Sequence, residues 1–303
     1  MKRPLRHHGF SLTEVLLAAG ILMIGFLMIC GTLPVGIHLT AQGTERTIAA
    51  VVADEAFAKV QLFGVGDVHG WNSPPAGQTV GVDPNLASVD FQYLWGRHRG
   101  VDLANRMFTG DNQFAYPSTD ISPDVKKYYW SALLRYEGNV LGDDMFQVTV
   151  FVSRNTGGAV QYPLFDDRVG LVPAQSSFPR PVPVAVEAYN PPPPPTDPLL
   201  PAWTCDKIWI LGNPLGPEQR LITEGSILVD DRTGQIMYVL ERRFLGANVD
   251  DPPVIFLKGN VFEVDLDGDG NPDSMRYVWV VPPAVGGGRY PGVSVDQRVI
   301  KFK

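Results

Sequence analysis

The 303-residue sequence predicts an α+β protein: one long N-terminal helix followed by an antiparallel, β-rich region. Three observations carry this expectation. Val15 to Leu33 is nineteen residues without a formal charge, roughly 28 Å as a helix at about 1.5 Å per residue. Beyond it, Ile37, Ala41, Ile48, Val52, Ala56 and Val60 recur at helical steps or multiples of them, with Glu45, Arg46, Asp54, Glu55 and Lys59 between. Farther on, short apolar segments alternate with turn residues, in a chain rich in glycine (31) and proline (27), and no helical period separates them.

The first eight residues, Met1 to His8, carry Lys2, Arg3 and Arg6, and between Phe10 and Thr44 the one formal charge is Glu14. The apolar run matches the ~30 Å hydrocarbon core of a bilayer. Basic residues on its N-terminal side alone predict a cytoplasmic leader, with the C-terminal bulk across the membrane. The run exceeds the 7–15 residues of a secretory h-region, and Leu39-Thr40-Ala41 is a poor cleavage signal. A single-pass anchor is expected.

Glu14 is a carboxylate at the mouth of that segment. On its own, a helix-start carboxylate is tolerated by snorkelling and by the helix dipole. Its company changes the reading. Gly9-Phe10, followed four residues later by Glu14 and then by the apolar run, resembles the processing motif of type IV pilins and type II secretion pseudopilins. The resemblance implies a pilin-like fold, with the second half of the helix packed on a β-sheet. It also implies cleavage between Gly9 and Phe10 by a prepilin peptidase, and N-methylation of Phe10. Glu14 of one subunit would then neutralise the new Phe10 amine of its neighbour, because two opposite charges in hydrocarbon cost less together than apart. The implied partners are the peptidase, other pilin or pseudopilin subunits, an inner-membrane assembly platform and membrane lipid. The implied location is the bacterial inner membrane and then a filament. The large lobes suit a low-copy, minor subunit better than the bulk fibre protein.

Leu33-Pro34-Val35-Gly36 is expected to interrupt the helix, since proline removes a backbone bond and crowds the preceding turn. Residues 1–9 thus read as a leader and 10–62 as the membrane-spanning and amphipathic helix. Residues 63–172 read as a first β-rich lobe with long loops, containing strands at Tyr128–Tyr136 and Met145–Arg154. Residues 173–201 hold eleven prolines, including Pro191 to Pro195, and are expected to form a polyproline linker or crossover. Residues 202–303 read as a second β-rich lobe. Its expected strands are Lys207–Leu211, Ser226–Val229, Gln235–Arg242, Val254–Leu257, Val261–Val264, Met275–Val281 and Gln297–Phe302. Asp230-Asp231-Arg232-Thr233-Gly234 is placed as a hairpin turn between Ile227-Leu228-Val229 and Ile236-Met237-Tyr238.

Asp265, Asp267, Asp269 and Asp273 occupy positions 1, 3, 5 and 9 of a calcium-type loop, with Gly270 at position 6 and Asn271 offering a carbonyl. Carboxylates so close repel one another unless a hard cation gathers them. Position 12 is Arg276, not the glutamate of an EF-hand, so the expectation is a calcium loop between strands, with an Asp- and Gly-rich turn as the plain alternative.

No enzyme is expected. Of the five histidines, His7 and His8 would be lost with the leader, His38 lies at the membrane face, and neither His69 nor His98 has a neighbouring Cys, Ser or His at triad or ligand spacing. Cys30 and Cys205 lie in different phases and read as apolar fillers. Net charge is −7, and loss of the leader would make it more negative; a nucleic-acid surface is not expected. The rival to a pilin-like subunit is an unprocessed, membrane-anchored binding or adhesive protein with a calcium loop, and a tethered hydrolase is a third reading.

Overall fold

A computed structural model describes residues 11–62, 88–91, 114–117, 127–140, 143–154, 160–166, 170–176, 178–190, 204–212, 216–244, 252–259, 261–265, 275–285 and 290–301. The fold class is α+β: one long helix and an antiparallel β-rich region. The chain forms two compact units, Met1–Ile48 and Ala49–Lys303.

The helix α1, Leu12–Leu62, has 51 residues. Within the first unit its described side chains are exposed through Thr44. The expected interruption at Leu33–Gly36 is absent, and α1 continues through Pro34. The loss there is one donor, because Pro34 has no N–H for the Cys30 carbonyl. Threonines nearby add bonds to the backbone: Thr32 Oγ1 donates to Met28 O (3.1 Å) and Thr40 Oγ1 to Gly36 O (2.8 Å). Such hydroxyl bonds are a usual accompaniment of proline in helices that face lipid.

In the second unit, the end of α1 buries Ala49, Val52, Ala53, Ala56, Phe57 and Val60. Steps of three and four place them on one stripe. Val52, Ala56 and Val60 match the expected apolar face, whereas Ile37 and Ala41 are exposed.

Fifteen strands follow among the described residues. The first are β1 (Ser88–Asp90), β2 (Ala115–Tyr116), β3 (Tyr128–Val140), β4 (Asp143–Arg154), β5 (Tyr162–Asp166), β6 (Gly170–Ser176), β7 (Val182–Ala188) and β8 (Thr204–Cys205). Then come β9 (Lys207–Ile210), β10 (Ile227–Asp230), β11 (Ile236–Arg243), β12 (Val254–Leu257), β13 (Phe262–Glu263), β14 (Arg276–Val280) and β15 (Gly292–Lys301). One sheet has the order β1-β3-β4-β15, with β2 also on β3. Six strands close into a barrel, β10-β11-β12-β9-β7-β14, and every pairing in it is antiparallel. Closure removes the unpaired edges an open sheet would expose. The pairs β5–β6 and β8–β13 are separate two-stranded ladders.

Residues opposite each other in a ladder share a face, so the registers assign the two faces of the sheet. Trp130 pairs with Val152, Ala132 with Val150, and Val148 with Arg298. This face meets α1: Lys59 Nζ lies 5.8 Å from the Trp130 ring centroid, and Arg298 lies 4.4 Å from that of Phe57 while pairing with Asp54. The other face, with Leu133 and Phe151, packs with Val229, Trp279 and Val281 of the barrel side. The second unit is therefore three layers: helix, sheet and barrel. The barrel interior is apolar, with Val184, Ile208, Leu228, Met237, Ile255 and Val278 contributed by its six strands.

Two strands depart from the expected division of the chain. Val182–Ala188, inside the proline-rich stretch, is not polyproline linker but barrel strand β7, with Val182, Val184 and Val186 inward. Pro183 fits because residues 182–184 pair with β14 alone, while bonds on the β9 side begin at Ala185 O, which accepts from Leu211 N–H; a missing N–H is tolerated on an edge-like stretch. The last strand, β15, joins β4 of the first sheet over Gly292–Lys301.

Candidate functional site

The N-terminus of α1 is a capping box. Ser11 N–H donates to Glu14 Oε2 (2.9 Å), Ser11 Oγ donates to the same oxygen (3.1 Å), and Glu14 N–H donates back to Ser11 Oγ (3.3 Å). The reciprocal pattern satisfies helix donors that have no partner within the helix, and such caps stabilise a helix by about 1 kcal/mol. The carboxylate also sits at the favourable end of the helix dipole. The Ser-x-x-Glu spacing signals this box directly, a local role that the counter-charge expectation for Glu14 leaves out. Gly9 and Phe10 lie outside the described residues.

From this cap onward α1 is long and apolar enough to be a membrane anchor or a signal segment, and none of its apolar window is buried. Leu17, Ile21, Ile24 and Met28 are among the exposed side chains. Cys30 is exposed here, while Cys205 is buried in the second unit, and both thiols are free. Burial pushes the Cys205 thiol up in pKa, and its Sγ donates to Lys207 O. His38 bonds Gln42 Nε2 at 3.1 Å, and His7, His8, His69 and His98 lie outside the described residues.

Of the acidic loop, Asp265 is half-buried just after β13, and Asp267, Asp269, Asn271 and Asp273 lie outside the described residues. Among the described residues no group of three or more His, Cys, Asp or Glu is placed to hold a metal ion. Arg276, which follows the loop in sequence, is buried. It is 3% exposed, donates to Glu263 O, forms an ion pair with Asp230, and lies 4.5 Å from the Phe262 ring centroid.

Asp230 opens the hairpin turn between β10 and β11, and that turn is a polar junction between barrel and sheet. Asp230 Oδ1 accepts from Arg232 N–H (3.0 Å), Thr233 N–H (2.8 Å) and Thr233 Oγ1 (3.0 Å), leaving Oδ2 for Arg276. Asp231, fully buried, accepts from Trp279 Nε1 (2.7 Å) and from Ser88 N–H of the sheet (2.9 Å). Gln297 Nε2 of β15 donates to Gly234 O (2.6 Å) and Thr149 Oγ1 (2.9 Å). Gly234 has φ +70°, so the backbone favours glycine, and a Cβ there would displace the end of the Gln147 side chain, whose Oε1 would stand 1.9 Å away. The sequence located this turn without its partners, because Arg276 and Ser88 lie far away in the chain.

Comparison with protein families, with curated proteins and with solved structures finds no match. The fold and the cap define a class: an α+β chain whose N-terminal helix carries a long exposed apolar half and a packed half.

Proposed function

We propose that this chain is a minor pilin- or pseudopilin-like structural subunit and not an enzyme. It is cleaved after Gly9 by a prepilin peptidase and held in the inner membrane by the first half of α1, with its bulk outside the cytoplasm. It is then assembled with other subunits into a type IV pilus or a type II secretion pseudopilus. One observation carries this reading: a single helix that begins at the Ser11–Glu14 cap, exposes an apolar face all round through its first half, and buries only one stripe in its second. A helix apolar all round needs lipid or other apolar helices about it, and a filament subunit meets the two in turn. Gly9-Phe10 supplies the cutting site.

Intact mass and N-terminal analysis of the protein, made in cells with an active prepilin peptidase, decides the matter. The expected product begins at methylated Phe10, and Gly9→Val should leave the full chain uncut. A wild-type chain that still begins at Met1 would instead support an unprocessed, membrane-anchored binding protein.

The acidic loop belongs to the proposal as a calcium site. Its support is the alternation of carboxylates in the sequence, and the charge of the nearby Arg276 is met by Asp230. Calcium should raise the unfolding temperature of the protein, and Asp267→Ala should abolish most of that rise. Equal responses of wild type and variant would reduce the loop to a turn.

A further inference from the structure

The sheet β1-β3-β4-β15 has two borders, and they are finished differently. On the β3 side the border is divided between β1 and β2, of three and two residues, and Ser88 of β1 is tied down by Asp231. The other border is β15, ten residues long. From Ser294 to Lys301 it pairs residue by residue with β4, without proline and without a bulge, and among the described residues no strand lies on its outer side. Short strands, bulges, prolines and covering segments are the usual ways of closing an edge. This stretch shows none of them among the described residues.

Two charges mark this edge. Asp296 and Arg298 lie on the helix-facing side of the sheet, where their partners on β4 are Val150 and Val148. Arg298 is held by Asp54 and by the Phe57 ring, yet its side chain keeps 54% exposure. Asp296 is half-buried, and among the described residues its one partner is the Ser294 hydroxyl, which donates to Oδ2 at 3.1 Å. A half-buried carboxylate met by one neutral donor is under-satisfied. On the opposite side Val295 packs toward the barrel, while Val299 is 55% exposed. The edge thus offers a ladder of backbone groups, an acid and a base two residues apart, and an apolar margin.

An open ladder is completed by an extended polypeptide, with backbone bonds giving affinity and alternate side chains giving specificity. We infer that β15 takes up an extended strand of another protein chain, antiparallel, with a basic residue opposite Asp296, an acidic one opposite Arg298 and apolar ones opposite Val295 and Val299. A second copy would match these charges, because antiparallel pairing about Gln297 sets Asp296 against Arg298. The two-fold axis of such a pair, however, is normal to the sheet, and it reverses the direction of the helix end that packs there. Copies anchored in one membrane by α1 cannot meet in that way, an exclusion that rests on the proposed anchor.

The probe is a labelled peptide with the sequence Gly292–Lys301, which supplies the complementary pattern when antiparallel. Fluorescence anisotropy follows its binding to the full chain in detergent micelles, where saturable binding is expected. A peptide with Arg298→Asp should bind the wild-type chain about fivefold more weakly, since it sets an aspartate against Asp296. The chain variant Asp296→Arg should likewise lose about fivefold toward the unchanged peptide and recover with the Arg298→Asp peptide. Ser294→Pro with Val295→Pro in the peptide, which deletes ladder donors, should abolish binding. Absence of saturable binding, or equal binding by all four pairs of chain and peptide, overturns the inference. So does a dimer of the chain that the peptide dissolves, which would give the edge to a second copy. None of these readouts requires cleavage after Gly9, so the proposed processing stands or falls separately.

Discussion

Asp230→Ala should destabilise the globular unit by about 3–5 kcal/mol, the range for breaking a buried ion pair from one side. The substitution strands the Arg276 guanidinium, which is 3% exposed and has Glu263 O as its remaining backbone acceptor. It also releases three donors of the turn, Arg232 N–H, Thr233 N–H and Thr233 Oγ1. Because the adjoining Asp231 binds Ser88 of the sheet and Trp279 of the barrel, loosening this turn should weaken the contact between those layers as well. Arg276→Met should cost less, since Asp230 keeps its three turn donors and a methionine can fill the space beside Phe262. The double variant should recover part of the Asp230→Ala loss, because it no longer buries an uncompensated charge. Chemical unfolding of the three variants, followed by tryptophan fluorescence, measures all of this. A loss below about 1 kcal/mol for Asp230→Ala would mean that the junction is ornamental to the fold.

That junction shows where sequence stops being informative. The hairpin itself was legible: Asp-Asp-Arg-Thr-Gly between two β-branched or apolar triplets predicts the pairs actually formed, Ile227 with Tyr238, Leu228 with Met237 and Val229 with Ile236. Strands β3 and β4 were legible from the alternation of Phe146, Val148, Val150 and Val152, although burial extends to both faces, with Leu133, Thr149 and Phe151 buried on the other. What local pattern cannot encode is the neighbour. Barrel closure depends on β7 pairing with β14 and β9, and hydrophobic alternation says which way a side chain points without saying what lies beside the strand. In β7 even the alternation was obscured, because Pro181 and Pro183 interleave with Val182 and Val184 in a run that reads as polyproline. In β15, Ser294, Asp296 and Arg298 share the face that carries Val152, Val150 and Val148 on β4, and polar residues on that face hide the strand's first half. The helix failed in the opposite sense. Its apolar period runs back to Ile37, but burial begins only near Ala49. Periodicity therefore marks a face that can be buried, and packing decides how much of it is.

Glu14 poses the remaining question, because two different forces can account for a carboxylate at this position. As the N3 member of a capping box it holds its own helix end, through Ser11 N–H and Ser11 Oγ. As a counter-charge it would hold a neighbouring subunit. Glu14→Gln separates the two, since glutamine also serves at N3 of a capping box but carries no charge. If the charge is what assembly needs, Glu14→Gln and Glu14→Ala should both be cleaved after Gly9 and both be largely lost from sheared filaments. Ser11→Ala, which removes the cap hydroxyl and leaves the charge, should still be incorporated, with only about 1 kcal/mol lost from the helix end. If the cap is what matters, the order reverses: Glu14→Gln is incorporated and Ser11→Ala is not. Each lone charge left in hydrocarbon costs roughly 2.5–3.5 kcal/mol on insertion scales, about three times the value of the cap. That difference favours the counter-charge role, so Glu14→Gln filaments should contain at most a few per cent of the wild-type amount of this subunit, a loss of about 2 kcal/mol or more per contact. Quantitative immunoblotting of filament and membrane fractions reads that ratio directly, and equal incorporation of wild type and Glu14→Gln would remove the charge from the mechanism.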